Sequence, residues 1–206
     1  MPDIFDEVAQ DLRAERTRRF FTRYGIAGAG GYEAWTTYQG KAALRVSDEY
    51  LAAVRIADGP QAERGPAIAA FERVAAEAGP GYRTLARLRA AALKADAGDL
   101  AGASALWDSV AGDGGADPLL RDLATLTWAL HHVDTGEPAQ VEARLNSLAA
   151  PDNAWHPLAE EAQAVLALRQ GKTDAARNLL KQLAQDVTAP NGLRGRANGL
   201  LSRIGG

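Results

Sequence analysis

The sequence predicts an all-α fold, a solenoid of helical hairpins, on three observations. Gly98, Gly136 and Gly171 stand 38 and 35 residues apart, a spacing that fits two-helix repeats. Five, nine and twelve residues after these glycines come Ala103, Trp107 and Val110, then Val141, Leu145 and Leu148, then Ala176, Leu180 and Leu183. Seven and three residues before them come Ala91 and Ala95, Ala129 and Val133, Ala164 and Leu168. The third observation is composition: 47% of the chain is hydrophobic but only 6% aromatic, a balance that favours helices packed through small residues. In such a repeat neither helix buries its apolar face without the next unit.

Taken in order, residues 1–23 form a basic segment, expected as an N-terminal helical extension. Asp3, Asp6 and Glu7 open it, and Arg13, Arg16, Arg18, Arg19 and Arg23 close it around a single acid, Glu15. The five arginines are candidate contacts for anionic lipid headgroups, each contributing about 1 kcal/mol at most. The competing reading is a solvated helix face. Residues 24–40 follow, opening with an uncharged run over 24–32 that has aromatic flanks: Phe20, Phe21 and Tyr24 on one side, Tyr32, Trp35 and Tyr38 on the other. Basic, aromatic, uncharged, aromatic is the layering of a membrane anchor with its basic end in the cytoplasm. A spanning helix needs roughly 20 apolar residues, and nine lie between Arg23 and Glu33. The run is therefore expected to be a shortened anchor and linker.

Residues 41–206 form the repeat domain. Ala43, Val46, Tyr50, Val54 and Ala57 make one helical stripe, ended by Asp58-Gly59-Pro60. Its partner carries Ala67, Phe71 and Val74 at the same steps of four and three as later second helices, which makes a first, degenerate hairpin. Later pairs are expected at 82–97 with 100–111, 118–134 with 138–149, and 156–170 with 173–186. Pro80, Pro118, Pro157 and Pro190 stand at or just before the first helix of a unit, where a missing N–H is harmless. Leu193, Ala197, Leu200, Leu201 and Ile204 supply the apolar stripe of a C-terminal capping helix.

A small residue five after the turn, a bulky one nine after and a proline opening the next unit resemble the tetratricopeptide repeat. The usual aromatic before the turn is replaced by Lys94, His132 and Ala167. The N-terminal series is more specific: Ile4-Phe5-Asp6-Glu7-Val8, Asp11-Leu12-Arg13, Arg19-Phe20-Phe21-Thr22-Arg23-Tyr24-Gly25 and Gly31-Tyr32-Glu33-Ala34-Trp35-Thr36-Thr37-Tyr38-Gln39. It is similar to the family of the ancillary SecYEG translocon subunit, bacterial inner-membrane proteins with one N-terminal span and a tetratricopeptide-like domain. The resemblance implies a cytoplasmic basic segment, a periplasmic repeat domain, and partners among the SecYEG translocon and exported polypeptides. This chain departs from the family between Gly25 and Gly31, where the apolar core of the span is missing. With the span that short, the chain is expected to be soluble and to bind membranes weakly.

Function classes narrow by elimination. A net charge of −3 offers no general attraction for nucleic acid, and the absence of cysteine excludes thiolate metal sites and cysteine nucleophiles. Gly171-Lys172-Thr173 lacks the earlier glycine of a phosphate loop, having Leu166 there, and joins two helices. It reads as a helix stop with Thr173 as the next N-cap. His131 and His132 diverge by about 100° on a helix and cannot share a metal alone. Asp48-Glu49 and Glu160-Glu161 diverge likewise, and no nucleophile, base and orienting acid assemble.

The expectation is a non-enzymatic protein-binding module without cofactor or metal, chaperone-like in handling polypeptides. The alternative is a soluble cytoplasmic scaffold that recognises an acidic chain end through Arg83, Arg87 and Lys94. With Leu88, Ala91, Ala92 and Ala95 taken as core, the peptide groove comprises Arg89 and Leu93, then Thr127 and His131, then Ala162 and Leu166. A slip of one residue in register replaces these with Leu88, Leu126 and Glu161.

Overall fold

The structure, a computed structural model, describes residues 44–59 and 64–205. Among them are nine helices and no strand. The first, α1, covers 44–57. The others are α2 (Arg64–Glu77), α3 (Pro80–Asp96), α4 (Leu100–Ala111), α5 (Pro118–His132), α6 (Pro138–Asn146), α7 (His156–Arg169), α8 (Thr173–Gln185) and α9 (Asn191–Arg203). By its contacts the chain divides into a unit ending at Asp48 and a unit of Glu49–Gly206. The hairpins from Glu49 onward belong to the second.

The turn glycines do two different jobs. Gly98 and Gly171 have φ of 84° and 73°, left-handed values that cost a residue with a Cβ about 1 kcal/mol or more. In both turns the N–H two positions past the C-cap reaches back to close the last turn: Asp99 N–H donates to the Lys94 carbonyl and Lys172 N–H to the Ala167 carbonyl, each at 2.9 Å. Gly136 has no such φ. There a Cβ would stand 2.8 Å from His132 Cβ and from the His132 carbonyl oxygen, so the glycine permits close approach. One residue type, repeated at one place in the sequence, answers two different steric demands.

Helix starts follow from local chemistry. Asp99 accepts a hydrogen bond from Gly102 N–H and Asp117 from Leu119 N–H, both at 2.8 Å, which satisfies amides that a helix leaves open. Proline occupies the first turn of α3, α5, α6 and α7. Thr173 is not the cap of α8. Lys172 takes that place and Thr173 is the first helical residue, because the Gly171 turn already fixes Lys172 through its bond to Ala167.

Two clusters of the core meet at α7. The larger holds Ala91, Trp107, Trp128, Val141, Leu145, Ala162 and Leu166 among others. The smaller holds Ala164, Leu180, Leu183, Leu193 and Ala197. Every position predicted five, nine and twelve after the turn glycines is buried. In the first hairpin Tyr50 lies edge-on to Phe71 at 5.5 Å, and Ala67, Phe71 and Val74 are buried. Ala92 was expected in the core and is exposed. It lies a full helical step beyond Ala91, past the reach of α4.

Candidate interaction surface

The first helices of successive hairpins, α5, α7 and then α9, touch one another directly as well as their own partners. Thirteen and six residues before each turn glycine stand Leu85 and Ala92, Leu123 and Leu130, and Leu158 and Val165. Positions seven apart lie two turns along one face. Leu85 and Leu130 are 38% and 43% exposed, Leu119 at the start of α5 is 48% exposed, and Leu123, Leu158 and Val165 are half-buried. The same offset is thus apolar on successive first helices, partly exposed on α3 and α5 and packed against the core on α7, and exposed apolar surface marks a place for a partner. Sequence reasoning missed it because an offset that is always apolar reads as core. The signal lay in width: the apolar arc of these helices is broader than their own partners can cover.

The six residues predicted as a groove do not form one surface. Arg89 is exposed and Leu93 half-buried on α3. Thr127 is half-buried, its hydroxyl donating to the Leu123 carbonyl at 2.7 Å. His131 is exposed but leans on Trp107, ring centres 4.7 Å apart. Ala162 and Leu166 are only 2% and 3% exposed, in the same cluster as Val141 and Leu145. The face nine and five residues before the glycine turns toward the preceding hairpin, so on α7 it is covered. The shifted register is no more open: Leu126 is buried, Leu88 half-buried, and Glu161 holds Arg196 by two bonds of 2.7 Å. Arg13, Arg16, Arg18, Arg19 and Arg23 lie outside the described residues.

The basic ridge is neutralised in place. Arg83 donates to the Ala78 carbonyl and Arg87 pairs with Asp113 at 3.1 Å. Lys94 pairs with Glu72 at 3.1 Å and Asp99 at 3.5 Å. The hydrogen bond to Glu72 is the main reason the ammonium is held above its ordinary value. These cations tie helices together and leave little for an acidic ligand.

His132 stacks on Trp128 at 3.9 Å, and its Nδ1 donates to the Trp128 carbonyl at 2.8 Å. Arg144 lies 3.7 Å over the same tryptophan and pairs with Asp108 at 2.7 Å. Among the described residues no three histidine or acidic side chains are placed to hold a metal. No described helix is long and apolar enough to cross a membrane.

Among the clefts between the described helices, two border α7. One, of about 290 Å³, lies between α6 and α8 with α7 as its floor and is lined by Glu142, Asn146, Gln163, Gln170, Lys172 and Leu179. The other, of about 310 Å³, lies between α7 and α9 beside Gly199, Leu200 and Arg203.

No curated protein and no solved structure gives a significant match to this chain. The repeat itself is matched over residues 21–194 by the tetratricopeptide repeat-like domain. The chain belongs to that family of protein- and peptide-binding modules.

Proposed function

We propose that this chain is a chaperone-like binding protein whose first-helix face receives an apolar, extended stretch of another polypeptide. The observation that carries the reading is the stripe of Leu85, Leu119 and Leu130, exposed by 38%, 48% and 43%. Water contact at such side chains costs about 25 cal/mol per Å² of apolar area, and a partner's apolar segment removes it. The mixed charge around the stripe, Arg89, Asp96 and Asp134, does not select a strongly charged partner. Similarity of the N-terminal series to the ancillary translocon family supports a place at the bacterial inner membrane, with the repeat domain in the periplasm, beside SecYEG or emerging polypeptides.

The test is binding of a permanently unfolded probe, reduced and carboxymethylated lactalbumin, by the full chain and by a Leu85→Glu, Leu130→Glu variant. Affinity is expected to fall about tenfold or more, equivalent to about 1.4 kcal/mol, with helix content by circular dichroism unchanged. Equal affinity would remove the first-helix face from the mechanism. Leu166, buried as it is, cannot serve in this test because its replacement by an acid attacks the fold. Recovery of the full chain from the cytosolic fraction of its host would overturn the membrane placement and leave a soluble scaffold that binds by the same face.

A further inference from the structure

The cleft between α6 and α8 lies apart from the first-helix stripe, and its lining has a chemistry of its own. It exists because α6 is only nine residues long, ending at Asn146. The chain after it folds toward α5 instead of over α7: Trp155 Nε1 donates to the Leu119 carbonyl at 3.0 Å and Asn153 Nδ2 to Asp122 at 2.8 Å. The apolar lining is Leu166 and Ala167 on the α7 floor, both buried, and Ala175 and Leu179 on the α8 wall. Along the floor stand primary amides. Gln163 Nε2 donates to Asn146 Oδ1 at 2.8 Å, which orients both groups and leaves the Gln163 oxygen as an acceptor and the Asn146 nitrogen as a donor. Gln170, seven residues further on at the C-terminal cap of α7, lines the same cleft.

A primary amide offers a donor and an acceptor side by side, as a main-chain peptide unit does. Seven helical residues span about 10.5 Å. Three residues of a polyproline-II strand span about 9.3 Å and return the main chain to the same orientation, so two amides at this spacing meet equivalent peptide units. Glu142 and Lys172 stand on the opposing walls, and their charges cancel. The cleft therefore lacks the net charge that would select an acidic or basic sequence. We infer that it holds the main chain of an extended peptide, with Gln163, Asn146 and Gln170 pairing to its amides and one apolar side chain resting on Ala175 and Leu179. It is a second binding site, independent of the first-helix face.

The experiment uses the full chain and a tiled set of acetylated, amidated peptides covering lactalbumin. Ala175 is exposed on α8, so Ala175→Arg fills the cleft without entering the core, and circular dichroism checks that the fold is kept. Peptides whose binding perturbs the side-chain amide NMR signals of Gln163 and Gln170 are expected to lose about tenfold or more in affinity to Ala175→Arg. They are expected to keep wild-type affinity for the Leu85→Glu, Leu130→Glu variant. The same peptides carrying N-methylated amides at the contact residues are expected to bind about tenfold more weakly, since each methyl removes a donor. Wild-type affinity in Ala175→Arg, undiminished binding of the N-methylated peptides, or no peptide that perturbs those signals would each overturn the assignment. Loss in the leucine variant alone would leave the first-helix reading standing and this one fallen, and the reverse pattern would do the opposite.

Discussion

At the scale of single residues, Glu160 is the side chain whose environment most opposes its charge. It lies on α7 with its side chain 14% exposed, and His156 Nε2 is 3.8 Å from its carboxylate. Burial pushes its carboxyl above the ordinary range, His156 offsets part of this, and Asp186 adds to it. Asp186 itself is held below its usual value by the Thr188 hydroxyl at 2.7 Å, so it remains ionised nearby. A raised carboxyl means that the folded chain binds the proton more tightly than the unfolded chain. The stability this supplies is complete below the ordinary carboxylate range and is lost as pH rises through the raised value. Near neutral pH the ionised Glu160 is therefore a burden. Glu160→Gln is expected to raise Tm at about pH 7 and to lose that gain as pH falls through the carboxylate range. Thermal melts across a pH series decide it. A gain independent of pH would trace the effect to packing.

At the scale of the element, Leu145 on α6 and Leu180 on α8 occupy the same place nine residues past a turn glycine, and both are fully buried. They belong to different core clusters, so each tests a separate part of the array. Truncation of either to alanine is expected to cost about 2–5 kcal/mol, read as a lower denaturant midpoint. A loss below about 1 kcal/mol at either would mean that the equivalence of the two positions is only formal. Second helices were legible in the sequence because they have one job. Each buries one narrow stripe between its own partner and the next first helix, so offsets of five, nine and twelve suffice to place them.

First helices were harder to read. They pack against a partner and against neighbouring units, so apolar residues occur around much of their circumference and periodicity no longer separates covered from open faces. That is why Ala92 was expected inside and is outside, and why Ala162 and Leu166 were expected in a groove and are buried. The charged positions were ambiguous for a related reason. Nothing in the local sequence announces that Arg87 meets Asp113, 26 residues on, or that Glu161 meets Arg196, 35 residues on. The amide-lined cleft depends on the length of α6, which a repeat pattern fixes to no better than a turn.

At the scale of the whole array from Glu49, helices pack chiefly on their immediate neighbours in chain order. Stability in such an array is a sum of units and the interfaces between them. Removal of residues 190–206 exposes Ala164, Leu180 and Leu183, which share a cluster with Leu193 and Ala197. Hydrogen exchange is expected to accelerate in α8 and much less in α4 and α5, whose cluster on α7 is separate. Uniform acceleration over all helices would show that the array opens as a single cooperative body.

The same mainly sequential packing bears on how the chain is made. A ribosome delivers about 5–20 residues per second, while helices and short loops close in microseconds or less. A hairpin that leans only on what precedes it has its binding partner waiting when it emerges. Part of the packing must still wait: Ala164 of α7 packs with residues of α8 and α9 that are synthesised later. During synthesis, one side of this helix settles at once on α5 and α6 while the other stays wet until α9 leaves the exit tunnel. Over that interval the growing protein is exposed to proteases and to other nascent chains along the α7 flank.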